Sequence, residues 1–133
     1  MKVIEVAAAV VFRDGKLLIT QRYANSHLGG LWEFPGGKRE AGETFEACLA
    51  RELREELGIE VQVGQLIESL NHDYPEKSVH LRFFQCRWLK HEPQPLGCPA
   101  FAWVSPRELR NYQFPAADAR LLDMLLSLSE LWD

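Results

Sequence analysis

The sequence predicts an α+β fold or a three-layer α/β/α sandwich, because strands and helices mix along it without regular βαβ alternation. Three features carry this reading. Residues 3–12 form an apolar, β-branched run, a helix-periodic segment ends at Gly58, and a second amphipathic helix lies near the C-terminus. At 133 residues, one domain spanning 1–133 is expected, and it is large enough to bury a core.

Residues 3–12 read as a buried strand, Asp14-Gly15 as a two-residue hairpin turn, and Lys16 to Arg22 as the returning strand. A loop through Asn25, His27, Gly29 and Gly30 leads to a short strand at Trp32-Glu33-Phe34. Pro35-Gly36-Gly37 is expected to break regular structure. Thr44 can cap a helix whose buried stripe is Leu49, Leu53 and Leu57, widened by Phe45 and Ala50, and Gly58 can end it in a left-handed conformation. Residues 59–70 and 78–89 are strand candidates around a turn at Tyr74-Pro75-Glu76-Lys77. A looser stretch with Pro93, Pro95, Gly97 and Pro99 precedes a strand at 100–104. Ser105-Pro106-Arg107-Glu108 is a capping box with proline at the first helical position. The last helix is expected from about Ala116 to Leu131, where Leu125, Leu128 and Trp132 belong to the core or to a dimer contact.

Hydrophobic residues make up 47% and charged residues 26% of the chain, as in ordinary globular proteins. The net charge of −4 argues against broad binding to nucleic acid or an anionic membrane. The longest apolar run, Val6 to Phe12, is too short to span a bilayer and lacks the flanks of a signal peptide. Cys48, Cys86 and Cys98 show no metal-type spacing, so reduced thiols and a cytoplasmic location are expected. His27, His72, His80 and His91 form no ligand pair and read as surface or packing residues.

The most informative segment runs from Gly37 to Ile59. Glu52, Glu55 and Glu56 stand at i, i+3 and i+4, so on a helix their carboxylates share one side. Each such like-charge pair costs a helix about 0.2–0.5 kcal/mol, which calls for a positive partner. A hard divalent cation with oxygen ligands suits that need. Glu56 borders the apolar stripe and should be partly shielded, Glu55 more open. Arg51 projects to the flank, where it can hold a carboxylate or anchor the preceding loop. Cys48 falls among the carboxylates by angle and reads as a packing residue, since soft sulfur suits zinc better than magnesium. Gly36 and Gly37 allow close backbone approach, so a carbonyl oxygen can join the metal.

Gly37, five residues, Glu43, seven residues, then Arg51-Glu52-Leu53-Arg54-Glu55-Glu56-Leu57-Gly58-Ile59 resembles the Nudix box at each of its nine defined positions. The resemblance favours the sandwich. It implies hydrolysis of a nucleoside diphosphate linked to another group, with metal coordination and water activation by Glu52, Glu55 and Glu56, and a supporting role for Arg51 and Glu43. Similarity to MutT-like members extends over WEFPGGK, DYPEK, WVS and FPAAD, nearly the whole chain. It implies that the Gly36 carbonyl binds metal and that Arg22 binds substrate phosphate, as an arginine fork can. Lys38 is a further phosphate candidate. Phe34, Tyr74 and Asp118 fall where the nucleobase is held.

The expected reaction is Mg²⁺-dependent cleavage (Mn²⁺ as a substitute) of a nucleoside triphosphate to monophosphate and pyrophosphate, with attack at the β-phosphorus. An 8-oxo-dGTP-like nucleotide is the first substrate reading. CTP or 5-methyl-dCTP, another nucleoside diphosphate derivative, and a non-catalytic recognition module are the alternatives.

Two positions depart from the MutT pattern. Asp118 replaces asparagine. Ionised, it suits the two donors of guanine; protonated, it suits cytosine; it could also simply cap the last helix. Gly97 stands where some members carry a glutamate, and no acid lies between Gln94 and Ala102. Glu55 or Glu52 is therefore expected as general base.

Overall fold

A computed structural model describes residues 2–132. Its centre is β1 (Lys2–Arg13), which turns through Asp14-Gly15 into β2 (Lys16–Gln21). Both turn residues have positive φ, 53° and 75°, as a type I′ hairpin requires. The sheet continues with β3 (Trp32–Glu33), β4 (Gly36–Lys38), β5 (Glu60–Tyr74), β6 (Lys77–Lys90) and β7 (Phe101–Val104). The strand order is β3-β2-β1-β6-β5, with β4 paired to β1 and β7 to β2. β1 and β6 run parallel from Lys2↔Lys77 to Phe12↔Arg87; the other pairings are antiparallel.

Period-two alternation along β1 divides the core. Ala7, Ala9 and Val11 face α1 (Phe45–Leu57) and its Leu49, Leu53 and Leu57. Ala8 and Val10 face the other way, toward Leu109 of α2 (Pro106–Leu109) and Leu121 and Leu125 of α3 (Ala119–Ser127). The sheet is thus covered on both sides, as the sandwich reading expected. No helix of the described residues is long and apolar enough to cross a membrane.

Local signals placed α1 well. Thr44 accepts from the Ala47 N–H, and Gly58 (φ 70°) donates to the Arg54 carbonyl. The α2 capping box at Ser105 and Glu108 is also formed.

Three expectations need correction. Gly36–Lys38 is not irregular. It pairs with Val6–Ala8 of β1, whose edge is free there because β2 pairs with the far end of β1, at Phe12 and Arg13. β5 and β6 run on to the turn itself, ending at Tyr74 and starting at Lys77. The C-terminal helix is broken: Ala116–Asp118 and Ser129–Trp132 are 3₁₀ turns flanking α3. The chain leaves the helix at Leu128 because Trp132 folds back, packing on Phe12 at 4.9 Å and donating to the Leu125 carbonyl. Leu125 and Trp132 are therefore core residues.

Gly58 is the simplest test of the helix end. A Cβ there would meet Leu96 at 3.2 Å in a left-handed backbone. Gly58→Ala should cost about 1–2 kcal/mol in chemical denaturation; a loss near zero would show that the cap tolerates a side chain.

Candidate active site

The Nudix-like segment folds around Arg51. Its guanidinium forks onto Glu43, Nε to Oε2 at 2.7 Å and Nη2 to Oε1 at 3.0 Å. Nη1 reaches Glu52 and Glu55, each at 3.0 Å, and Nη2 donates to the Lys38 carbonyl at 3.2 Å. One cation thus ties the glycine-rich loop to the helix and screens two of the three crowded carboxylates. The Arg51 bond, aided by the Glu40 N–H, lowers the Glu43 pKa to about 2. Glu43 in turn holds Arg51 firmly charged.

Glu52 lies against Gly37, where a Cβ would come within 2.3 Å of its carboxylate. Only glycine lets the loop and the helix approach so closely. Burial raises the Glu52 pKa, opposed by Arg51. Glu55 is open to solvent, as expected. Glu56 is the contrasting case. Its Oε1 is sealed from solvent with no hydrogen-bond partner among the described residues. Burial, then repulsion from Glu33, pushes its pKa up to about 8.

As they stand, no three acid, histidine or cysteine side chains among the described residues converge closely enough to hold an ion. Arg51 draws Glu52 and Glu55 toward itself, while Glu56 Oε1 is sealed inside. The donor chemistry still fits a hard divalent cation, for it offers carboxylate and carbonyl oxygens only. Arg51 pairs with Glu52 and Glu55 but leaves Glu56 without an ion-pair partner among the described residues, so the crowded side still lacks a positive charge. Cys48 is fully buried, with burial raising its thiol to about 11, so it packs and does not ligate.

Beside this edge opens a cavity of about 270 Å³. Gly36, Gly37, Lys38 and Arg22 line it together with Phe34, Tyr74 and Asp118, so the expected phosphate and base residues share one space. Arg22 is held by Glu33 (Nη1–Oε1 2.8 Å) and by the His27 carbonyl (Nε–O 2.6 Å). Lys38 is exposed at the rim. Phe34 is both core and wall: it is 4% exposed and packs edge-on to Phe83 at 5.5 Å. Tyr74 stands between His27 and His72, with centroids at 4.8 and 4.5 Å.

Asp118 makes no side-chain cap for α3, which removes the capping alternative. It is 6% exposed, and burial followed by repulsion from Glu33 raises its pKa to about 7. Gly97 packs on Glu56, where a Cβ would meet Cα at 3.3 Å, and its N–H bonds the Glu56 carbonyl at 2.9 Å.

Sequence reasoning missed Glu33, His27 and Lys77. By sequence Glu33 is one residue of a short strand; its position near Arg22, Glu56 and Asp118 needs the β2–β3 pairing to be seen. His27 and Lys77 line the cavity through contacts between distant loops. The WEF order gave a partial signal, an acid next to a phenylalanine that lines the cavity.

A model of the NUDIX domain matches residues 6–124. The chain is 42% identical over 128 residues to a CTP pyrophosphohydrolase of Escherichia coli, covering 96% of this chain and 95% of that protein. It is 38% identical over 128 residues to an 8-oxo-dGTP diphosphatase of Haemophilus influenzae, covering 95% and 93%. Its fold matches the crystal structure of a MutT protein from Methanosarcina mazei with a TM-score of 0.82 at 24% identity, over 97% of this chain and 96% of that one.

Asp118 yields a stability prediction. Its folded pKa lies above its unfolded one, so the folded state binds more protons between about pH 4 and 7. Its ionisation therefore weakens the fold as pH rises through that window, by up to about 1.4 kcal/mol per pH unit. Asp118→Asn should remove this slope in denaturation curves taken from pH 4 to 8. Parallel curves for variant and wild type would contradict the buried, raised carboxyl.

Proposed function

The chain belongs to the NUDIX family and is a hydrolase acting on phosphorus anhydrides, and from that premise we propose that residues 1–133 form a single domain cleaving a nucleoside triphosphate to monophosphate and pyrophosphate. The observation that carries this reading is one shared cavity: Arg22, Lys38, Gly36 and Gly37, the proposed phosphate side, line the same space as Phe34 and Asp118, the proposed base side.

Nudix hydrolases generally need a divalent metal ion. Magnesium is the proposed ion here, with manganese as a substitute, held by Glu52, Glu55, Glu56 and the Gly36 carbonyl. When bound, it neutralises phosphate oxygens and acidifies water. The chain's own groups do the rest. Arg22, fixed on one side by Glu33 and His27, presents its fork to the phosphates. Lys38 adds a mobile positive charge. Arg51 keeps the loop and helix in register so that the carboxylates stay aligned. Glu52, desolvated against Gly37, is the general base that takes the attacking water's proton, with Glu55 as the exposed alternative. Water attacks the β-phosphorus, and the nucleoside monophosphate and pyrophosphate leave. The free, buried cysteines suit a reducing, cytoplasmic setting.

Asp118 sets the base preference. A protonated carboxyl presents a donor beside an acceptor. That matches the O6 and N7–H edge of 8-oxoguanine, and equally N3 and N4–H of cytosine. On that edge unmodified guanine offers two acceptors, O6 and N7, so a protonated carboxyl separates it from 8-oxoguanine there, while the N1–H and N2–H pair would need the ionised form. With a pKa of about 7, Asp118 is substantially protonated at neutral pH. This supports an 8-oxo-dGTP-like nucleotide first. CTP or 5-methyl-dCTP is the second reading, supported by the same carboxyl and by the 42% identical relative.

Two experiments follow. Glu55→Gln and Glu56→Gln should each lower kcat by about 10²–10⁴-fold with a native-like melting curve, assayed as Mg²⁺-dependent pyrophosphate release. Wild-type turnover in either variant would take that residue out of the site. The second compares kcat/KM for 8-oxo-dGTP, dGTP, CTP and 5-methyl-dCTP at pH 6 and pH 8. The ratio of 8-oxo-dGTP or CTP to dGTP should fall as Asp118 ionises, and Asp118→Asn should make it independent of pH. Constant ratios across pH and variants would mean that Asp118 does not read the base.

A further inference from the structure

Thr20 is the one fully buried hydroxyl-bearing residue among the described residues, at 0% exposure in β2. Leu17 and Ile19 face the α3 side, and Leu18 faces α1. Alternation therefore sends Thr20 toward α1 as well. That side of the core is otherwise built from aliphatic, aromatic and thiol side chains. A valine of the same shape would pack there without a hydroxyl to satisfy, and a strand favours it equally. Yet Thr20 Oγ1 is sealed and has no hydrogen-bond partner among the described residues. Leaving such a group unpaired is costly, so its presence calls for an acceptor in some working state.

Two acceptors lie near. Glu33 is the cross-strand partner of Thr20, but its carboxylate already receives Arg22. The other is Glu56, whose Oε1 is likewise sealed and unpartnered. The Thr20 hydroxyl lies beside the Glu56 carboxyl. Two orphaned polar groups, one donor and one acceptor, thus adjoin under the last turn of the carboxylate helix.

We propose that Thr20 is a positioning residue for Glu56, its hydroxyl donating to the inward carboxylate oxygen and so leaving the other oxygen for the divalent cation. The proposal rests on the assignment of Glu56 to the metal site. It explains a threonine in an apolar layer and the unpaired Glu56 oxygen with a single hydrogen bond. A bond from a neutral donor to a charged acceptor is worth about 1.5–3 kcal/mol, which corresponds to roughly a ten- to hundredfold effect.

The test compares Thr20→Val, which keeps shape and loses the hydroxyl, with Thr20→Ser, which keeps the hydroxyl. Expected for Thr20→Val are an unchanged or higher melting temperature, since a sealed polar group is removed, and a kcat lowered at least tenfold with KM for the nucleotide nearly constant. Mn²⁺ affinity of the nucleotide-free protein, read by electron paramagnetic resonance, should weaken. Thr20→Ser should recover most of both losses. Wild-type kcat and Mn²⁺ affinity in Thr20→Val would overturn the proposal, as would Thr20→Ser losing as much as Thr20→Val. Should Thr20→Val not fold, Thr20→Ala against Thr20→Ser makes the same comparison. The Glu56→Gln background separates the two assignments. There, Thr20→Val should add little further loss, whereas full additivity would refute the positioning role. Wild-type activity of Glu56→Gln alone would instead remove Glu56, and Thr20 with it.

Discussion

Arg51 is the interaction on which the rest of the site depends. A helix that sets Glu52, Glu55 and Glu56 within one turn carries repulsion that its own backbone does not relieve. Arg51 answers for two of the three and for Glu43 in the loop, and it holds the Lys38 carbonyl as well. Each contact is only partly shielded from water, so none alone is worth much. Their joint effect is geometric. The fork on Glu43 fixes where the glycine-rich loop meets the helix, and Gly37 can then touch Glu52. Lysine would not serve here, because a point charge lacks the planar fork.

What Arg51 leaves unscreened is a second group of acids. Burial raises the pKa of Glu56, Glu33 and Asp118, and Glu33 adds repulsion on both Glu56 and Asp118. Arg22 meets only Glu33 by direct ion pair. The protein therefore keeps buried carboxyls that resist ionisation beside the cavity. That arrangement is costly for the free fold and sensible for a site completed by cations. Burial first, and then Glu33, raises Asp118 to about 7, so Glu33 acts on both Glu56 and Asp118.

The far end of the helix is secured by backbone. Gln94, Leu96 and Gly97 donate N–H groups to the Leu57 and Glu56 carbonyls, satisfying acceptors that a helix C-terminus otherwise leaves open. The loop with Gly97 thus caps the helix. Loop and helix are held by main-chain bonds that no side-chain pattern encodes.

Local and contiguous features were legible in the sequence. The Thr44 and Gly58 caps, the leucine stripe, the Asp14-Gly15 turn and the carboxylate spacing each depend on residues within a few positions of one another, where helix and strand periodicity suffice. The resemblance added Arg22, Lys38, Phe34, Tyr74 and Asp118, and the fold does gather them around one cavity. Only the tertiary structure decided the pairing of Gly36–Lys38 with β1, the breaks around α3, the burial of Asp118, and the placing of Thr20 beside Glu33 and Glu56. These turn on strand register and on burial by elements tens of residues away. The charge state of a carboxyl follows from that burial and from its neighbours in space, and neither is written in the order of the chain.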